Sequence, residues 1–312
     1  MRVLIQADME GASGVTDYRQ IAAIWPEFWR TGRAAMAADA AAAAQGLLDG
    51  GADEVLVYDG HWSGAANLDA TALPKGVVLL PEEDVFAQMR AGAFDAAFQV
   101  GRHARCGTNE GFIPHTQAAG LRLAVDDVPI TESHLNAYRA GVPLLGITGD
   151  DRLAAQLDGP LTGTPFLAVK HSSWRATTQS AWTEPIDAQQ AIRAFAASCM
   201  RRAAECPVPT LPAVFTLQVS MAPERAAEID GCAGLRRIGD GTLAVEARGW
   251  WADAEPAMQA AMAAASRSLA DAVAAASVAS EADLERVDPE VLEHARAVFS
   301  AWVMTDEVGW IE

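Results

Sequence analysis

Short apolar runs alternating with helix-period stretches dominate the first half of the chain. Val3–Ala7, Glu54–Tyr58 and Ala96–Val100 have the length and continuous apolar character of buried strands. A helix is expected from about Pro26 to Leu48, stopping at Gly50-Gly51. Val77–Leu80, Leu144–Thr148 and Phe166–Val169 are further strand candidates, with a short helix over Glu82–Arg90. Leu121–Val125 and Val128–Ile130, joined at Asp126-Asp127, predict a β-hairpin, and Thr131 is placed to cap a helix starting at Glu132. This alternation predicts an α/β fold, a mostly parallel sheet sandwiched by helices.

The pattern changes near Glu184-Pro185. A helix to about Glu205 leads into a proline-rich joint at Pro207–Pro212. Strands at Val214–Val219 and Thr242–Ala247 then bracket a helix beginning near Ala222, and an Ala-rich helix covers Ala254–Ala276. Ser280-Glu281-Ala282-Asp283 and Asp288-Pro289 are both helix-start signatures. From the latter, Val291, Leu292, Ala295, Val298, Phe299, Trp302 and Val303 fall on one helical stripe that must be buried, on the parent domain or on a neighbouring subunit. The expected organisation is an α/β domain over residues 1–184 and a smaller α+β domain over 185–279. A C-terminal helical extension over 280–312 completes it.

The chemistry lies where the strands end. Asp8 and Glu10 follow the first run, His61 the second and His103 the third. Ligands of open α/β sheets bind beyond the carboxyl ends of the strands. Oxygen and imidazole donors converging there suit a first-row metal. Asp8 and Glu10 are two apart, so in extended backbone they share a face, where their mutual repulsion calls for a cation. His115 sits in a loop able to return over the crevice, as a proton carrier near neutral pH, and Glu132 adds a carboxylate at its helix start. His134 is expected to face elsewhere, His171 to lie in a loop or at a strand edge, and His294 at the surface. Asp150 serves as a helix cap at least as readily as a crevice group.

A net charge of −18 argues against nucleic acid or an anionic membrane as partner. No run reaches membrane-span length, no signal peptide is evident, and the four cysteines form no C-x-x-C pair, so a reducing cytoplasm is expected. No phosphate loop, nucleophile elbow or His-Glu-x-x-His helix is present.

Asp8-Met9-Glu10-Gly11-Ala12-Ser13-Gly14, Asp59-Gly60-His61, Gly101-Arg102-His103-Ala104, His115 and Glu132-Ser133-His134-Leu135-Asn136-Ala137-Tyr138 together resemble the D-aminopeptidase family of the bacterial dipeptide-operon type. The similarity runs in order to about residue 275, through Gly149-Asp150-Asp151 and Val169-Lys170. It implies two zinc ions per subunit, with Asp8 bridging, Glu10 and His61 on one metal, and His103 and Glu132 on the other. It also implies a catalytic His115, a preference for D-residues, and a homodecamer of stacked five-membered rings. Trp62, Trp250-Trp251 and the stretch from about Ser280 depart from the family pattern. The resulting expectation is a cytoplasmic aminopeptidase that cleaves small peptides or amino-acid amides by a metal-bridging hydroxide. The rivals are a two-metal hydrolase of phosphate esters or nucleosides and a non-catalytic, ring-forming metal-binding protein.

Overall fold

The computed structural model describes residues 1–62, 65–174, 176–180, 185–276 and 286–304. Strands β1 (Arg2–Ala7), β2 (Glu54–Asp59), β3 (Val78–Leu80), β4 (Ala96–Arg102), β7 (Leu144–Asp150) and β8 (Phe166–Ser172) pair in parallel. β9 (Thr178–Ser180) closes one edge antiparallel to β8, giving the order β3-β2-β1-β4-β7-β8-β9. Successive side chains alternate faces. Val3 and Ile5 therefore join the core under α1 (Pro26–Asp49) and α5 (Pro185–Arg201), while Leu4 and Leu56 pack on the opposite face with α2 (Glu82–Arg90). Strand order reverses between β1 and β4, so a crevice opens at their carboxyl ends.

A second sheet has the order β11-β12-β10-β5-β6 and is built from β5 (Arg122–Val125), β6 (Val128–Pro129), β10 (Phe215–Ser220), β11 (Arg236–Gly239) and β12 (Thr242–Ala247). Its core is filled by α3 (Glu132–Ala140), α6 (Pro223–Ile229) and α7 (Glu255–Ala275). The β5–β6 hairpin forms as expected but belongs to this sheet, because Leu217 and Val219 of β10 pair with Val125 and Leu123. A single cut near residue 184 therefore does not separate the two sheets, and residues 181–184 themselves lie outside the described residues. The Trp250-Trp251 pair helps join the halves. Trp250 Nε1 donates to Glu255, which also accepts two bonds from Arg139 on α3, at 2.9 and 2.8 Å. Trp251 Nε1 donates to the Arg139 carbonyl and its ring meets Phe86 of α2.

α4 (Asp151–Ala154) is capped by the Asp150 side chain, which accepts from Arg152 N–H. The last described helix, α8 (Pro289–Met304), buries Ala295, Phe299 and Val303 in the main core of its own chain. Tyr18 hydroxyl lies 3.1 Å from Ser300 Oγ, and Arg296 donates to Ile24 carbonyl. The expected apolar stripe thus packs on the parent chain. The helix start expected at Ser280–Asp283 lies outside the described residues.

Candidate metal centre

Backbone interlocking fixes the strand ends before any side chain acts. Asp8 N–H donates to Val100 carbonyl and Gly11 N–H to Gly101 carbonyl. Gly101 has φ +71°, and a Cβ there would lie 2.1 Å from Asp8 carbonyl oxygen, so only glycine fits this crossing. His61 is held by its loop: Asn67 N–H and Leu68 N–H donate to Asp59, Asn67 Nδ2 donates to the His61 carbonyl, and Trp29 Nε1 donates to Asn67. Glu132 arrives at the first turn of α3, capped by Thr131. Buried Gln99 donates to Gln6 and to Ser133 carbonyl, and Gln6 donates to Asn136 carbonyl, tying that helix across β1 and β4.

Six residues singled out in the sequence converge here. Donor atoms of Asp8, Glu10 and His61 lie within 4.8 Å of one another, as do those of His103, His115 and Glu132. The two groups meet at Asp8. Its Oδ1 is 3.5 Å from His61 Nδ1, and its Oδ2 is 3.4 Å from His103 Nε2. Glu10 Oε2 lies 3.1 Å from His61 Nδ1, and Glu132 Oε2 lies 3.7 Å from His103 Nε2. Each imidazole commits its far nitrogen to a backbone carbonyl: His61 Nε2 to Ile21 at 2.7 Å, His103 Nδ1 to Ala104 at 2.9 Å, and His115 Nδ1 to Ile113 at 2.8 Å. Such bonds fix the tautomer and aim the remaining lone pair, as around a bound metal. The near nitrogens of His61 and His103 consequently face carboxylate oxygens, an arrangement that calls for a proton or a metal cation between them. Glu10 Oε2 and His103 Nε2 are buried without a hydrogen-bond partner, so this donor set fits zinc.

The electrostatics agree. Burial alone would raise the Asp8 carboxyl, but Arg102, His61 and His103 override it and hold it well below the usual range. Burial would lower both ligand-type imidazoles; Glu10 and Asp8 instead hold His61 well above its ordinary value, and Glu132 with Asp8 lifts His103 to about 9. Glu132, pushed up by burial, is brought down to about 2, chiefly by His103. His115 moves the other way: burial and the neighbouring His103 lower it, leaving a neutral ring. It stacks on His103 at 4.1 Å between centroids, and its Nε2 lies 3.7 Å from Glu132 Oε1 and 3.9 Å from Glu10 Oε1.

A zinc ion held by His61 and His103 would have to displace their protons. In calorimetric titrations at pH 7.5, in buffers of differing ionisation heat, loading should release protons from both rings, and apparent affinity should rise with pH at least until His103 titrates at about 9. Zinc uptake without proton release would contradict this assignment.

Two buried cations escaped the sequence reading. Arg102, beside His103, donates from Nη1 to Asp8 Oδ2 at 2.8 Å and brings Nη2 to 3.7 Å from Glu132. Its only local signal was its place between Gly101 and His103. Lys170 was noticed only in the family resemblance. Its ammonium donates to Glu10 carbonyl and sits 4.5 Å from the Phe112 ring centroid, and burial lowers it to about 7. Nearby, burial raises Asp39 to about 6, although Ser13 donates to it from both N–H and hydroxyl.

The remaining histidines stand apart. His134 is buried and completes the cap of α3 with Thr131, His171 lies exposed on β8 against Asp151, and His294 is exposed on α8.

A cavity of about 100 Å³ lies over the cluster, lined by Asp8, Glu10, His61, His115 and Glu132 and closed by Phe299 and Trp302 of α8. A second, of about 400 Å³, adjoins it at Gly60, His61, Trp62 and Gln117.

The family model described as D-aminopeptidase matches residues 1–260. Among solved structures, the Zn-dependent D-aminopeptidase DppA from Bacillus subtilis, described as a self-compartmentalizing protease, superposes with a TM-score of 0.77 at 25% sequence identity. The match covers 85% of this chain and 98% of that one. No curated protein sequence matches significantly.

Proposed function

The chain belongs to the D-aminopeptidase family, and on that premise we propose that it is a zinc-dependent aminopeptidase acting on small peptides or amino-acid amides. Two zinc ions would be held, one by Asp8, Glu10 and His61 and the other by Asp8, His103 and Glu132. The observation that carries this reading is the placement of Asp8, whose two oxygens each address a different imidazole. DppA, named as zinc-dependent, supports the choice of metal.

Bound zinc would supply Lewis-acid polarisation of the scissile carbonyl and an activated water. The residues of the chain do the rest. His115, neutral and with Nε2 open toward the cluster, takes a proton and returns it to the leaving nitrogen. Arg102 holds Asp8 ionised and fixes its orientation. The family match favours a peptide or amide over a phosphate ester as substrate.

The family name motivates the D-preference. Paired D- and L-aminoacyl amides and p-nitroanilides, with phosphate esters alongside, test it in zinc-loaded protein. Hydrolysis favouring the D-compounds is expected; hydrolysis of the phosphate esters alone would overturn the reading.

The described self-compartmentalizing assembly of DppA supports a closed homo-oligomer here, for which we take a decamer of two stacked pentamers. Light scattering distinguishes it from a dimer or monomer. No described helix is long and apolar enough to cross a membrane. Among the described residues no disulfide joins the cysteines, and we take a reducing cytoplasm as the compartment.

A further inference from the structure

Helix α8 lies beyond the residues that the family model matches, yet it forms part of the metal cavity. Trp302 meets His115 edge to face, with centroids 5.6 Å apart and planes at 85°. Phe299 backs Trp302 at 5.1 Å and is fixed by Trp25 and Tyr18, at 5.4 and 6.5 Å. Phe299 is buried, whereas Trp302 is half-buried and lines the cavity. The segment carrying Tyr18 and Trp25 also supplies the Ile21 carbonyl that holds His61, so α8 is anchored to the same support as a metal-binding ring. The cavity is partly open, and Trp302 and Phe299 form its wall beside His115.

We propose that Trp302, backed by Phe299, is a specificity-determining residue that limits the size of the substrate's leaving side. This rests on the aminopeptidase reading and on His115 as the group protonating the leaving nitrogen. That nitrogen must come within hydrogen-bond reach of His115, and whatever is attached to it then runs against the indole. An amide nitrogen or one small residue fits this space, and a longer peptide meets the aromatic wall. The N-terminal residue, on the other side of the scissile bond, has the adjoining cavity of about 400 Å³.

The test uses zinc-loaded full-length protein with D-alaninamide, D-alanylglycine and D-alanyl-tetraglycine, and with D-leucinamide and D-phenylalaninamide as a separate series. Wild type should favour the amide and dipeptide over the longer peptide. Trp302→Ala should raise the kcat/KM ratio of D-alanyl-tetraglycine to D-alaninamide by at least about tenfold, the scale of discrimination an apolar wall provides. Trp302→Phe should fall between, and it keeps an aromatic ring on the helix should the alanine variant fold poorly. The D-leucinamide to D-alaninamide ratio should stay put. A readout without turnover is the rate at which a chelator strips zinc, expected to be faster in Trp302→Ala. An unchanged length ratio in an active enzyme, a shift confined to the N-terminal series, or unchanged stripping overturns the proposal. A wild type that cleaves no member of either series overturns the aminopeptidase reading, and the leaving-side filter with it.

Discussion

Asp8→Ala is expected to lose both zinc ions and, with them, activity. Among the proposed ligands Asp8 has one oxygen toward His61 and the other toward His103, so its removal opens both sites together. It also leaves Arg102 buried with its main partner gone and only the longer contact to Glu132, and a guanidinium less well balanced beside the site repels any cation entering it. Metal catalysis contributes several kcal/mol and each 1.36 kcal/mol is a decade, so a fall in kcat/KM of about 10⁴-fold or more is expected. His61→Ala should differ: it removes a donor from one group only and should weaken chiefly one metal. Elemental analysis of the two variants after identical zinc loading separates the cases. Equal losses in both would argue that Asp8 has no bridging role.

His115→Ala should behave in the opposite way, keeping metal and losing turnover. His115 lies on the more open side of the cluster, with 14% of its side chain exposed against 1% for His103. Its neutral ring is ready to accept a proton. Loss of an acid–base group typically costs roughly 10²–10⁴-fold in rate. The sign of the pH effect follows from the lowered value: protonation sets in only below the ordinary histidine range, so wild-type activity should fall on the acid side there. That limb should be absent from the residual activity of the variant. His115 also stands within ligand distance of His103 and Glu132, which makes zinc content the deciding readout. Loss of one zinc in His115→Ala would make it a ligand.

The first sheet and most of the site were legible in the sequence for one physical reason. Buried parallel strands are continuous apolar runs, and the residues that end them are delivered to one edge. Asp8, Glu10, His61 and His103 follow from that rule alone. Glu132 and His115 were singled out as a carboxylate at a helix start and a histidine in a returning loop, but their roles as ligand and catalytic group came from the family resemblance, since a helix start and a loop carry no such address. The second sheet was only half visible. The β5–β6 hairpin is local, but its partner β10 lies some ninety residues on, and periodicity does not encode non-local pairing. β11 and β9 were missed as short edge strands, β11 with the exposed sequence Arg236-Arg237-Ile238-Gly239. Arg102 was invisible because composition predicts surface for an arginine; only the assembled carboxylates explain its burial. For α8 the apolar stripe was plain, but its target, the wall over His115, existed only after folding.

The account stands most directly on the number of metal ions per chain. Wild-type protein stripped with a chelator, reloaded with zinc and freed of excess should contain two zinc atoms per chain by elemental analysis. One or fewer, under conditions where the protein cleaves D-aminoacyl amides, would contradict the bridged site centred on Asp8.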